Sequence, residues 1–199
     1  MASGAGFRCV STPMFPSMAE GRAGSEMAVR EIVKIGAPVL RQKAKKVSRF
    51  DQSIQQLIDD MIETMKDVPG VGLAAPQVAV PLRIIVVDVE DQVTVLVNPE
   101  IQEMDGEYEP EEGCLSIPGY VANVKRAIRV AVKAKNRRGK DIKVKADGLL
   151  AHTIQHEVDH LDGILFIDRL PSMDLLRKVP EGEESVEEEG AGEPVSSAT

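Results

Sequence analysis

The chain has no tryptophan, 3% aromatic residues, two cysteines and three histidines in 199 residues. Two cysteines, Cys9 and Cys114, cannot supply a disulfide framework, so a reducing cytosol is the expected setting. No apolar run approaches the roughly 18–20 residues that cross a bilayer as a helix, so no membrane partner is expected. Residues 1–27 hold no sustained apolar core, which argues against a cleaved signal peptide. Sparse arginine, together with Glu20 and Glu26, argues against a transit peptide and leaves an organelle as the lesser alternative to a bacterial-type cytoplasm. A basic excess is also missing. The formal charge is −8, and the seven glutamates between Glu181 and Glu193 carry −7 of it, leaving about −1 for the rest. That balance excludes a broad electrostatic grip on nucleic acid, and no stable nucleic-acid partner is expected.

What is present is ordinary for a globular protein, with 43% hydrophobic and 28% charged residues. The length suits one domain with tails. Residues 1–27, rich in Ala, Ser, Gly and Pro, read as a disordered extension, and Met27 is a plausible functional start. Residues 28–170 read as the catalytic domain, and 171–199 as an acidic, mostly disordered tail. Ile54, Leu57, Ile58, Met61, Ile62 and Met65 recur at three- and four-residue steps behind Asp51 or Ser53, which predicts an amphipathic helix ending at Pro69-Gly70. Strands are expected at 82–89, 93–97, 120–124, 127–135 and 141–146. The Asn136-Arg137-Arg138-Gly139-Lys140 link reads as a solvated hairpin tip. A second helix is expected from about Gly148 to His160, with Gly163 and Pro171 beyond it.

All three histidines fall within nine residues, at 152, 156 and 160. On a helix His156 and His160 share one face, with Cβ atoms roughly 5–6 Å apart, and can grip one metal ion. Glu157 follows the first of them on the adjoining flank, where a carboxylate reaches an activated water without occupying the metal. Imidazole suits Zn, Fe, Ni and Co alike, so the pair does not name the ion. A catalytic site needs a third protein ligand. His152 is excluded by reach, because eight residues at 1.5 Å rise set it about 12 Å from His160. It reads as a pocket wall or an ordinary packed histidine. Asp162, Asp168 and Cys114 remain open. The segment Gly70-Val71-Gly72-Leu73-Ala74-Ala75-Pro76-Gln77 lacks the Lys-Ser/Thr ending of a phosphate loop. Its small residues instead let backbone approach a ligand closely.

Three blocks together resemble the peptide deformylases. They are Gly70 to Gln77, then Glu112-Gly113-Cys114-Leu115-Ser116, then Gln155-His156-Glu157-Val158-Asp159-His160-Leu161. In that order and spacing they make a specific match covering about residues 29–170. The resemblance implies a hydrolase that removes the N-formyl group from the initiator methionine of new polypeptides, releasing formate. It implies Cys114 as third ligand with His156 and His160, usually around Fe(II), with Zn, Ni or Co able to replace it. It gives Glu157 the proton transfer, and the Gln77 amide and Leu115 N–H the developing oxyanion. Gly72, Val71, Leu149, His152 and Thr153 match positions around the methionine. Glu112, paired with Arg126, would orient a ligand; the plain alternative is a surface salt bridge or none. The implied fold is α+β, with antiparallel sheets packed around a central metal-binding helix and the 51–66 helix outside. Formyl-methionyl nascent peptides are the implied partners, with transient ribosome association. Two rivals use the same helix. A zinc endopeptidase would draw its third ligand from downstream and keep its metal in Cys114→Ser, and a non-catalytic peptide binder would need neither Glu157 nor Gln77.

Overall fold

A computed structural model describes residues 28–179. The expected start at Met27, the extension before it and the glutamate-rich tail from 180 lie outside the described residues. The fold is α+β. Helix α1 (Gln52–Lys66) is capped by Asp51, whose side chain accepts from the Ser53 and Ile54 amides. Its apolar stripe of Ile54, Leu57, Ile58, Met61 and Met65 is buried against β1 (Gly72–Ala74) and β2 (Ile84–Val89). The other strands are β3 (Gln92–Asp105), β4 (Glu111–Cys114), β5 (Ile117–Asn123), β6 (Arg129–Lys135) and β7 (Asp141–Asp147). Helix α2 (Gly148–Asp162) follows, and β8 (Arg177–Lys178) closes the described chain. A larger antiparallel sheet has the order β1-β2-β3-β6-β7, and a smaller one the order β4-β5-β8.

Helix α2 is buried on two sides, which positions the site. Ala151, Ile154, Val158 and Leu161, at three- and four-residue steps, pack into a cluster with Ile85, Val87, Leu96, Val130, Val132 and Ala146. Past its exposed first residues the helix is covered on its other faces too, so Thr153, Gln155, His156, Glu157, Asp159 and His160 are buried although polar. Such a helix must satisfy its polar groups from neighbouring elements. The helix ends at Gly163, whose φ of 77° and close approach to the Arg41 backbone leave no room for a side chain.

Three sequence expectations differ from the fold. Strand β3 runs to Asp105 rather than stopping near 97. Asn98 has a φ of 54°, and register shifts follow at 97–100 and 101–103, so bulges break the alternation that marks a strand in sequence. The basic turn after β6 is not simply solvated. Arg137 Nη2 lies 2.7 Å from Asp59 Oδ1 and its Nε donates to Gln55 Oε1 at 3.0 Å, docking that turn on α1. Beyond Pro171 the chain stays in the fold: a 3-10 turn at Met173–Leu175 leads to β8, which pairs with β5.

Candidate active site and metal centre

Two elements from different layers meet here. Helix α2 presents His156 and His160 one turn apart, with ring centroids 5.1 Å apart. Cys114 ends β4, where the register with β5 shifts and the hairpin turns. Its Sγ lies 3.2 Å from His160 Nε2. One ligand atom each from Cys114, His156 and His160 lies within 4.8 Å of the others, the one such group among the described residues. The spacing is compatible with bonds of about 2.0–2.3 Å to a single ion. The donor chemistry fits as well. His156 Nδ1 is 2.9 Å from Glu112 Oε2, which leaves Nε2 as its free nitrogen, the arrangement usual for metal-binding histidines.

Asp162 and Asp168, the alternatives for a third ligand, are engaged elsewhere: Asp162 with Arg83 at 2.7 Å, and Asp168 with Arg41 and the Leu165 amide. His152 is also outside the ligand group, its Nε2 being 2.8 Å from Glu112 Oε1.

Glu112 is thus a hub. Besides the two histidines it takes both Nε and Nη2 of Arg126, at 2.5 and 3.0 Å. Burial opposes its ionisation, but the bonds from Arg126, His152 and His156 outweigh that and hold its carboxyl well below the usual range. Arg126 in turn donates to Asp159 Oδ2 at 2.7 Å, and Asp159 is clasped by Arg169. The Glu112–Arg126 pair is therefore a buried network rather than a surface salt bridge. Asp159 and Arg169 had no role in the sequence reading. The available signal was an acidic residue on a helix with no solvent-facing side there.

Glu157 takes no hydrogen bond from this network. Its Oε2 is buried with no hydrogen-bond partner among the described residues, and burial pushes its carboxyl up to about 7. Its other oxygen sits against Gly72: a Cβ there would be 2.7 Å from Glu157 Oε1 and 2.6 Å from Thr153 Cγ2. Gly72→Ala must therefore push Glu157 aside, and kcat for the reaction named below should fall roughly 100-fold. A kcat equal to wild type would show that the contact is slack. Gln77 is buried, its side-chain carbonyl accepting from the Ala74 amide at 2.7 Å. That fixes the amide, whose Nε2 lies 3.8 Å from Cys114 Sγ and 3.4 Å from Ser116 Oγ. Ser116 is a third residue, after Asp159 and Arg169, to which the sequence alone assigns no role. Leu115 sits between Cys114 and Ser116 at the hairpin turn, with its side chain against Gly70. Val71 is half-buried beside Gly72, and Leu149 is exposed at the start of α2.

The family model for polypeptide deformylase matches residues 29–175. The chain belongs to the polypeptide deformylase family. It is 58% identical over 141 residues to a peptide deformylase of Dictyoglomus thermophilum, covering 71% of this chain and 92% of that one. The enzyme of Dehalococcoides mccartyi strain CBDB1 is 51% identical over 164 residues, covering 81% and 98%. The crystal structure of a peptide deformylase from Legionella pneumophila aligns with TM-score 0.70 at 50% identity, covering 72% of this chain and 86% of that one. The function of that metal-dependent family is therefore this chain's: it removes the formyl group from the N-terminal formyl-methionine of newly made polypeptides and releases formate.

Proposed function

We propose that Cys114, His156 and His160 hold one divalent ion, Fe(II) in the native enzyme, and that α2 is the metal-bearing helix at the centre of the fold. A thiolate with two imidazoles also accepts Zn, Ni or Co. When bound, the ion supplies Lewis-acid polarisation and acidifies water towards a pKa of about 7. Glu157 takes the proton from the attacking water through the buried carboxyl oxygen that lacks a protein partner, and delivers it to the departing amine. Gln77 Nε2 and the Leu115 N–H donate to the oxygen that gains negative charge at the formyl carbon. Gln77 is suited to this because its own carbonyl is already spent on the Ala74 amide, so its orientation is fixed before substrate arrives. Val71, Gly72, Leu149, His152 and Thr153 border the methionine side chain. Glu112, backed by Arg126, sets the tautomer and orientation of His156.

The observation that carries the reading is the meeting of one sulfur and two imidazoles, within 4.8 Å, beside the Glu157 carboxyl. Metal analysis combined with formate release from formyl-Met-Ala tests it. Cys114→Ser should lose most of its bound metal and, with it, turnover; a variant that keeps one ion per chain removes Cys114 from the ligand set. A ferrous thiolate is open to oxidation, which favours a reducing compartment such as a bacterial-type cytoplasm. The bacterial relatives support that placement. No helix among the described residues is long and apolar enough to cross a membrane. Because the substrate is a nascent chain, transient ribosome association completes the proposal.

A further inference from the structure

The segment before the 3-10 turn Pro38–Arg41 touches both turns that carry the proposed oxyanion donors. Three consecutive residues make the contacts. The Val33 N–H donates to the Gln77 backbone carbonyl at 2.9 Å, Lys34 Nζ to the Leu115 backbone carbonyl at 2.9 Å, and the Ile35 N–H to the Ser116 backbone carbonyl at 2.8 Å. Gln77 lies in the 3-10 turn Ala75–Val78 after β1 and Leu115 in the turn between β4 and β5, so residues 33–35 are a direct tie between them. Their side chains reinforce it. Ile32 packs with Leu115, Ala75 and Val78 in one cluster, while Val33 packs with Cys114 and Ile117 in another. The strap is also anchored upstream. The Ala28 amide donates to Asp60 Oδ1 and the Arg30 amide to Thr64 Oγ1, and the Arg30 guanidinium takes Asp60 Oδ2 at 2.8 and 2.9 Å. Asp60 and Thr64 are buried on α1, so the strap is fastened to the core before it reaches the site.

We infer that residues 33–35 form a clasp that holds the Gln77 amide and the Leu115 N–H at the separation the reaction needs, with Lys34 a positioning residue for deformylation. The inference rests on the donor roles assigned to Gln77 and Leu115 above. The carbonyls of Leu115 and Ser116 belong to successive peptides, and holding both fixes the turn just after the Leu115 donor. Lys34 is exposed, and its side chain makes one hydrogen bond, to Leu115. Its removal therefore unties the turn without opening the core.

The test compares metal-loaded full-length Lys34→Met, Lys34→Arg, Ile35→Pro and Gln77→Leu with wild type. Formate release is measured alongside metal content and amide exchange at Leu115. Ile35 is exposed, so Ile35→Pro deletes the N–H donor to Ser116 at little packing cost. Lys34→Met and Ile35→Pro should lower kcat by about 10- to 100-fold, as expected when reacting groups are displaced by up to 1 Å. KM should stay within about twofold, metal content should be unchanged, Leu115 exchange should quicken, and Lys34→Arg should restore most of kcat. Loss of turnover in Gln77→Leu with wild-type kcat in both strap variants overturns the clasp alone. Wild-type kcat in Gln77→Leu overturns the donor reading, and the clasp with it.

Discussion

Replacing Glu157 by glutamine is expected to lower kcat for formate release from formyl-Met-Ala by about 10³- to 10⁴-fold, the upper range for a positioned acid–base group. Bound metal should stay at the wild-type level. Glutamine keeps the size of the side chain, so its close approach to Gly72 survives. What it loses is the ability to accept a proton. Glu157 is not among the converging ligand atoms, which is why metal content and turnover should separate. Turnover within tenfold of wild type would remove Glu157 from proton transfer. Loss of the ion together with activity would instead make it a support for the metal centre.

The second large effect is on stability. Arg126 stands between two carboxylates, and the side-chain exposures are 3% for Arg126, 1% for Glu112 and 7% for Asp159. Removing one member of a buried, hydrogen-bonded charge network typically costs about 3–5 kcal/mol, because the remaining charge is left without compensation. For Arg126→Met that corresponds to a Tm lower by roughly 6–20 °C in a domain of this size. Adding Glu112→Gln should cost less than the sum of the two single changes, since both remove the same contact. A Tm for Arg126→Met within about 2 °C of wild type, followed by thermal melting, would show that the network adds little to stability.

Much of this was legible in the sequence, for local reasons. Helix α1 was marked by an Asp51 cap and an apolar stripe at helical spacing, and α2 overran its expected end by two residues, to Asp162. His156 and His160, the proposed ligands, are marked by four-residue spacing, and His152 is set aside by simple reach along the helix. Cys114 was different: no spacing argument selects a thiol 42 residues before His156, and family resemblance supplied it. The bulged half of β3 was hidden because Asn98 and the register shifts break strand alternation. Asp159 and Arg169 were hidden because a charged residue on a helix is normally read as solvent-facing, and only tertiary packing closes that face. The 33–35 clasp was least visible. Two of its three bonds are made by backbone amides, which any residue except proline can supply.

The three metal-seeking atoms come from both halves of the molecule. The sulfur rides on the smaller sheet, while both imidazoles ride on a helix lodged against the larger one. An ion held by all three would therefore be a rivet between two plates, and its residence time would depend on how often the plates breathe apart. Any excursion that lifts the β4–β5 ribbon withdraws the sulfur from both rings at once.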